Sequence, residues 1–166
     1  MSILELFRLD GKVVVVTGAS SGLGVDFARA FADAGADLVL AARRAHALSA
    51  TAAEVTARGR RAHTVVTDVV DPAQCQALVD AAIASLGRVD ILINNAGVGT
   101  AVPTTRETPQ QFLSVIDLNL NGAYWMAQAC GRVMRPGSSI VNISNILGIR
   151  RPAYPKPPTA PARPPS

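Results

Sequence analysis

The stretch Thr17-Gly18-Ala19-Ser20-Ser21-Gly22-Leu23-Gly24 directly follows four consecutive valines, Val13–Val16, and precedes an alanine-rich segment. The valines predict a buried strand and the alanine-rich segment predicts a helix. Glycines at such a turn let the backbone approach a pyrophosphate, and the free amides and dipole at the helix start stabilise the anion. The G-x-x-x-G-x-G spacing, which lacks the Lys of a P-loop, therefore predicts dinucleotide binding. A glycine turn that serves packing alone is the alternative.

Short β-branched runs alternate with alanine-rich segments on both sides of this turn. The predicted strands are Lys12–Thr17, Asp37–Ala42, Ala62–Thr67, Asp90–Ile93 and Ser138–Ser144. The predicted helices are Gly22–Ala34, Ala45–Arg58, Pro72–Leu86 and Pro109–Val133. This alternation is typical of βαβ units, and the aliphatic runs suit strands that are covered on both faces. The predicted fold class is therefore α/β: a three-layer, doubly wound, Rossmann-like parallel sheet of five strands in the order 3-2-1-4-5.

The composition changes near residue 151. All 13 glycines lie in residues 1–150, whereas most of the 11 prolines lie in residues 151–166. Each proline removes an amide donor and disfavours the helical region for the residue before it. We therefore predict a dinucleotide-binding domain over residues 1–150 and a Pro-rich, extended and disordered tail over residues 151–166. Two explanations of the tail remain open. It is the product of a reading-frame accident near Arg150, or its Pro-x-x-P repeats bind an aromatic groove of another protein.

The overall composition excludes several classes of protein. The 166 residues allow one domain, and 49% apolar with 17% charged residues indicates a globular chain. The aliphatic runs fall far short of the roughly 18–20 apolar residues that span a bilayer, and the first ten residues do not resemble a secretory signal, so we expect a cytoplasmic location and no membrane partner. Much of the net charge of +4 lies in the tail, so no nucleic-acid partner is predicted. Cys75 and Cys130 form no CxxC motif, so neither a disulfide nor a metal site is predicted.

Four motifs in order resemble the short-chain dehydrogenase/reductase family. They are the glycine octet, Asp68 after the third strand, Asn94-Asn95-Ala96-Gly97 after the fourth, and Asn119 in the long helix. The resemblance covers residues 10–150, the amino-terminal portion of the family pattern. It implies an NAD(P)-dependent oxidoreductase that moves hydride between the nicotinamide and a carbonyl or alcohol carbon of a small substrate.

The resemblance also implies which residues hold the dinucleotide. The pyrophosphate and ribose would be surrounded by Gly18, Ser20, Ser21, Gly22, Leu23 and Gly24. The adenine would be flanked by Asp68 and Val69, and the nicotinamide ribose would lie beside Asn95, Ala96 and Gly97. For Asp68, an acid in a loop that flanks a helix is the alternative.

The end of the second strand bears on the choice between NAD and NADP. A carboxylate there would accept the ribose hydroxyls of NAD and repel a 2′-phosphate. The sequence instead has Ala41-Ala42-Arg43-Arg44, and Arg43 can pair with a phosphate through charge-assisted hydrogen bonds. NADP is therefore favoured over NAD. Arg44 could substitute for Arg43, and both could be exposed charges at the start of a helix.

The proton-transfer group that the family uses has no counterpart in these residues. A tyrosine becomes a usable base when a lysine four positions later on the same helix face favours the phenolate. Tyr124 is followed at that spacing by Gln128, and Tyr154 by Pro158. We therefore expect this truncated chain to be inactive. A non-catalytic NAD(P)-binding module and an interaction protein that uses its Pro-rich tail are the alternatives.

Remnants of the catalytic site are implied by the resemblance. Asn145 stands where the family has a substrate-orienting serine, Ser144 comes just before it, and Asn119 matches the family's catalytic asparagine. We also expect the fifth strand to form an open, apolar edge of the sheet. The substrate and the oligomeric state are not predicted.

Overall fold

The computed structural model describes residues 3–99 and 102–144, and within them five parallel strands form one sheet. The strands are β1 (Val13–Thr17), β2 (Asp37–Ala42), β3 (Ala62–Val66), β4 (Ile91–Asn94) and β5 (Ser139–Asn142). Their order is β3-β2-β1-β4-β5, which confirms the predicted sheet. In the register of the sheet, Val15 at the centre of β1 lies opposite Val39 of β2 and Leu92 of β4.

Helices cover both faces of this sheet. They are α1 (Leu23–Asp33), α2 (Ala45–Thr56), α3 (Pro72–Leu86), α4 (Pro109–Ile116) and α5 (Gly122–Gly131). A short 3₁₀ helix, Ile3–Phe7, precedes β1, and a π-helical segment, Asp117–Asn121, joins α4 to α5. No helix in the described ranges combines the length and the apolar character needed to cross a membrane.

The two faces of β1 build two separate cores, because successive side chains of a strand point in opposite directions. Val14 and Val16 pack in the core under α1 and α2, which includes Leu48. Val13 and Val15 pack in the core under α3 and α5, which includes Met126. Each fully buried Val, Leu or Met side chain contributes about 1.5–3 kcal/mol. The result is the predicted three-layer arrangement.

The edge strands are more exposed than we predicted. Every residue of β1 and β2 is buried, as the aliphatic runs predict, but β3 is only partly covered and every residue of β5 is exposed. The prediction of two covered faces is therefore wrong for β3 and β5. Among the described residues β5 pairs with β4 alone, and Ile140 and Val141 are 41% and 43% exposed. Within the described residues, β5 is therefore an edge strand with exposed apolar side chains.

The helix predicted over Pro109–Val133 is divided and ends earlier. It starts as its sequence indicates, with the Thr108 side chain accepting from the amide of Gln111 in a capping box. The helix then widens into the π-helical segment, where the exposed Asn119 side chain bonds to the backbone of Val98. Single-turn π-helical bulges within α-helices are frequent at functional sites.

Ion pairs lie at the amino-terminal end of β2 and join it to the loop before β3. Arg60 and Arg61 both contact the carboxylate of Asp37, and Arg58 pairs with Asp33. Burial opposes ionisation of Asp37, but the backbone and side-chain hydrogen bonds from Arg61 and the nearby arginine charges hold its pKa below the usual value. This arginine cluster therefore has acidic partners close by in the fold.

Candidate functional site

The glycine octet forms the turn between β1 and α1. The chain leaves β1 at Thr17 and passes through Gly18 at φ +67° and Gly22 at φ +55° before α1 begins at Leu23. Both values lie in the left-handed region that glycine adopts without strain. The two glycines therefore allow a turn that most other residues would make only at a cost in energy.

The outer surface of this turn is lined by free amides. The backbone N–H groups of Ser20, Ser21, Gly22 and Leu23 donate to no backbone group in the described parts of the chain. A Cβ added at Gly22 would meet no atom within 4 Å, so the backbone there is open. Together with the start of α1, these donors form a surface that fits a phosphate group.

The inner surface of the turn is tightly packed. A Cβ at Gly24 would lie 2.2 Å from the carbonyl oxygen of Gly18, and one at Gly18 would lie 2.9 Å from the Cα of Ala96. Real Cβ atoms do not make contacts this short. Glycine at both positions therefore keeps α1 close to the turn and keeps the turn close to the loop after β4.

Hydrogen bonds of Thr17 and Asn95 connect the turn after β1 to the loop after β4. The Thr17 hydroxyl accepts from the amides of Asn95 and Ala96, each at 3.0 Å, and donates to the carbonyl of Ile93 at 3.3 Å. The Asn95 side-chain amide donates back to the carbonyl of Thr17 at 3.1 Å. The Asn95 amide is thus used within the protein, and its main effect is to position the loop.

A cleft of about 210 Å³ opens beside the turn at the carboxyl ends of β1, β2 and β3. Its lining residues are Gly18, Ser20, Ser21, Ala42, Arg43, Arg44, Thr67, Asp68, Val69, Ala96, Gly97 and Leu118. Arg44 Nη2 donates to the hydroxyls of Ser20 at 3.1 Å and Ser21 at 2.9 Å. Arg43 makes no hydrogen bond or ion pair within residues 3–99 and 102–144. The cleft therefore has one arginine that is held in place and one that is free.

The Asp68 loop forms the far wall of this cleft. Asp68 Oδ1 accepts from the amide of Val70 at 3.2 Å, and the Asp68 amide donates to Gln74 Oε1 at 2.9 Å. The next residue, Val69, is buried and packs so closely on α5 that a Cβ at Gly122 would lie 2.8 Å from its Cγ2. Asp68 thus shapes its own loop and also lines the cleft.

A second cleft, of about 650 Å³, continues from the first toward β5. Its lining residues are Leu23, Asn94, Asn95, Ala96, Gly97, Val98, Gly99, Asn119, Ala123, Asn142, Ile143 and Ser144. Ala96 and Gly97 line both clefts, so the two form one trench along the carboxyl ends of the strands.

The second cleft contains two of the three predicted catalytic remnants. Asn119 and Ser144 line it, whereas Asn145 lies outside the described residues. Both ends of the Asn119 amide are engaged by Val98: Oδ1 accepts from its N–H at 2.9 Å and Nδ2 donates to its carbonyl at 2.8 Å. Ser144 is exposed at the end of β5.

A model of the short chain dehydrogenase family matches residues 12–155 of this sequence. The chain belongs to that family. It is 42% identical over 141 residues to the D-threitol dehydrogenase of Mycolicibacterium smegmatis, an alignment that covers 84% of this chain and 54% of that protein. The chain thus spans little more than half the length of this curated relative.

Solved structures agree with this assignment. A short-chain type dehydrogenase/reductase from Mycobacterium marinum superposes with a TM-score of 0.89 at 34% identity, over 93% of this chain and 64% of that one. A blue fluorescent protein from a metagenomic library, solved in complex with NADPH, superposes with a TM-score of 0.81 at 36% identity, over 86% of this chain and 59% of that one.

Against this family background, the structure brings most of the predicted binding residues together. Gly18, Ser20, Ser21, Arg43, Asp68, Val69, Ala96 and Gly97 line the first cleft, and Leu23 and Asn95 line the second. Gly22 and Gly24 line neither cleft: Gly22 is exposed at the start of α1, and Gly24 is buried beneath the turn.

Sequence reasoning did not assign a site role to the residues at the strand ends as a set, although Thr17, Ala42 and Asn94 belong to the quoted motifs. Every strand contributes one at or just beyond its last residue: Thr17, Ala42, Thr67, Asn94 and Asn142. Because the carboxyl ends of parallel strands meet at one edge, strand order alone could have identified them. The bridge from Arg44 to Ser20 and Ser21 was also missed, although Arg44 was considered as a phosphate partner.

Proposed function

We propose that the chain binds NADP along the trench, with the pyrophosphate on the open amides of residues 20–23. The observation that carries this proposal is the free-amide turn between two clefts that together form one groove. A dinucleotide needs anion recognition at its centre and room on both sides, and the turn and the two clefts fit that requirement. The superposed relative solved with NADPH supports the assignment.

Preference for NADP over NAD is proposed from the end of β2. Ala42 places no carboxylate against the adenosine ribose, and Arg43 lines the cleft without a partner in the described ranges. Arg43 is therefore available to pair with a 2′-phosphate, while Arg44 adds a second positive charge and holds the two serine hydroxyls.

The reaction class proposed for the whole protein is hydride transfer between the nicotinamide and an alcohol or carbonyl carbon. The bound cofactor supplies the hydride donor or acceptor, and this chain's residues bind and orient it. D-threitol, the alcohol in the name of the mycobacterial relative, is the first substrate to test.

We also propose that these 166 residues do not turn substrate over on their own. Tyr124 lines neither cleft, and the residue four positions after it on α5 is Gln128 instead of a lysine. Asn119 has both ends of its amide bonded to Val98. The residues that the structure describes therefore support binding of the cofactor and include no Tyr-x-x-x-Lys pair to move the proton.

Titration of the purified chain with NADPH and NADH, followed by fluorescence of the reduced nicotinamide, tests the cofactor proposal. We expect saturable binding of both, tighter for NADPH. Arg43→Gln should weaken NADPH binding by roughly 10- to 100-fold, because a hydrogen bond to a charged group contributes about 1.5–3 kcal/mol, and should leave NADH binding unchanged. Ala42→Asp should reverse the preference.

Arg132→Gln is the matched control, because this exposed arginine contacts Gln76 and Gln128, away from the trench. No saturable binding at millimolar NADPH would overturn the proposal of cofactor binding. Oxidation of D-threitol with NADP above a protein-free control would overturn the proposal of inactivity. Three expectations stay predictions: the domain boundary at residue 150, the disordered tail over residues 151–166, and the cytoplasmic location. The tail lies outside the described residues.

A further inference from the structure

A separate cleft of about 210 Å³ lies at the opposite end of the sheet from the trench. It sits between the carboxyl ends of α3 and α5, where the chain enters β4 and β5. One wall is apolar and consists of Ile83, Val89 and Val133. The polar groups that line it belong to Arg88, Asp90 and Arg135. No residue of this cleft lines either half of the trench.

Asp90 is the single acid of this cleft, and neighbouring groups already balance its negative charge. Asp90 accepts from Arg88 Nη2 at 2.6 Å and from the amide of Val13 at 2.9 Å, and Lys12 Nζ lies 3.7 Å from its carboxylate. Burial opposes ionisation, but the hydrogen bonds from Arg88 and Val13 hold the pKa of Asp90 below its usual value. The carboxylate is therefore ionised at neutral pH, and its oxygens already bind Arg88 and the amide of Val13.

Arg135 is the unpaired charge of this cleft. Its guanidinium makes no hydrogen bond or ion pair within the described part of the chain, unlike those of Arg88 and the nearby Arg132. The lining contains two arginines, Arg88 and Arg135, and one acid, Asp90, so the cleft has an excess of positive charge. A guanidinium beside an apolar wall favours an anion with an apolar body.

The carboxyl ends of α3 and α5 border the cleft, and such ends usually attract positive charge. Here that attraction is weakened by hydrogen bonds within the protein. The carbonyl of Ile83 at the end of α3 accepts from the amide of Gly87 at 2.9 Å. The carbonyl of Cys130 at the end of α5 accepts from the amides of Val133 and Met134. Because these carbonyls are satisfied within the protein, their attraction for a positive ligand group is reduced.

We propose that this cleft binds a small aliphatic carboxylate, with the carboxylate on Arg135 and the alkyl chain against Ile83, Val89 and Val133. The volume is smaller than the roughly 300–1,000 Å³ of pockets that hold drug-sized ligands, so the ligand is short. The planar guanidinium matches a carboxylate in a two-point hydrogen bond, which an alcohol or an amine of the same length cannot form.

Titration of the full chain with sodium hexanoate, followed by amide chemical shifts, tests this site. We expect saturable shifts at residues 87–90 and 133–135, and none at the glycine turn of residues 18–24. Arg135→Gln should weaken hexanoate binding about tenfold or more, because it removes a charge-assisted hydrogen bond. Arg132→Gln, a neighbouring exposed arginine that contacts Gln76 and Gln128, should leave binding unchanged.

A ligand series keeps the test independent of the folding of any variant. On the unmodified chain, hexanol and hexylammonium should produce no saturable shifts at residues 87–90 and 133–135. The proposal is overturned if hexanoate does not saturate at millimolar concentration, if hexanol binds equally well, or if the shifts fall on the glycine turn instead. Equal weakening by the Arg132 and Arg135 substitutions would also overturn it, because the effect would then be one of overall charge.

Discussion

The two halves of the trench differ in the burial of the strands that form them and in the hydrogen bonds that hold their loops. The first cleft is the proposed adenosine half: there β1 and β2 are buried throughout, and the turn after β1 is held by the Thr17 hydroxyl and the Asn95 amide. The second cleft is the proposed nicotinamide half: there β5 is exposed along its whole length. The side-chain hydrogen bond that links β5 to β4 in the described residues runs from Asn94 to Asn142, and Asn94 Oδ1 is buried without a partner.

This difference separates recognition of the dinucleotide from placement of the reacting groups. The surface that fits the pyrophosphate is preorganised by contacts within the two cores and the loops they support. Ser144, by contrast, depends on an exposed edge strand for its position. Changes at the first half should therefore reduce stability and cofactor affinity together, whereas changes at the second half should act locally.

The largest effect is expected from Gly24→Ala. The new methyl would lie 2.2 Å from the Gly18 carbonyl oxygen, so α1 or the turn must move. We expect a loss near or above the upper end of the about 1–3 kcal/mol that overpacking typically costs. The displaced amides should also abolish saturable NADPH binding. Urea unfolding and NADPH titration measure the two effects.

Gly131→Ala is the matched control for this substitution. Gly131 also lies in a helix, but a Cβ there would meet nothing within 4 Å. Because alanine is the better helix former, this change should be neutral or stabilise the protein by up to about 1 kcal/mol. If both alanine substitutions had the same effect, the close contact between Gly24 and Gly18 would not be what holds the turn.

A smaller effect of the same kind is expected from Thr17→Val. Valine preserves the shape of the side chain but leaves the amides of Asn95 and Ala96 without their acceptor. Stability should fall by about 1–3 kcal/mol. NADPH affinity should fall with it, because Ala96 lines both halves of the trench.

Thr56→Val provides the comparison for Thr17. Thr56 is exposed on α2, and its hydroxyl donates only to carbonyls of its own helix. We expect a change within about 0.5 kcal/mol, as for most surface substitutions. An equal loss in the two valine variants would show that the Thr17 hydroxyl does not fasten the loops.

Local patterns predicted the sheet and the position of the turn. The parallel sheet follows from the alternation of apolar runs with helical segments, and the order 3-2-1-4-5 is that of a doubly wound fold. The octet marks the turn because it joins the first strand to the first helix. These signals span neighbouring residues, so they can be recognised without knowing the rest of the fold. The family resemblance then supplied the individual binding residues.

Contacts between distant residues were not predictable in this way. Thr17 and Asn95 are 78 positions apart, and the π-helical segment depends on Asn119 meeting Val98 across 21 positions. The exposure of β3 likewise depends on its place at the edge of the sheet. Tertiary packing decides each of these features, and propensity does not.

The smallest of the three effects is expected from Asn142→Ala at the nicotinamide half. The substitution removes the acceptor of the Asn94 amide on β5, but Asn94 keeps its hydrogen bond to the carbonyl of Ala123 at 3.0 Å. The loss should be about 0.5–1.5 kcal/mol and local. Amide hydrogen exchange should accelerate in β5 and stay unchanged in β1.

Ser139→Ala on the same strand tests whether the amide pair causes this change. Ser139 is exposed, and its side chain makes no hydrogen bond within residues 3–99 and 102–144, so β5 should exchange at its original rate. Acceleration in both variants would mean that any change on this strand loosens it. Acceleration in the Asn142 variant alone would mean that one cross-strand amide contact holds β5, and Ser144 at its end, against β4.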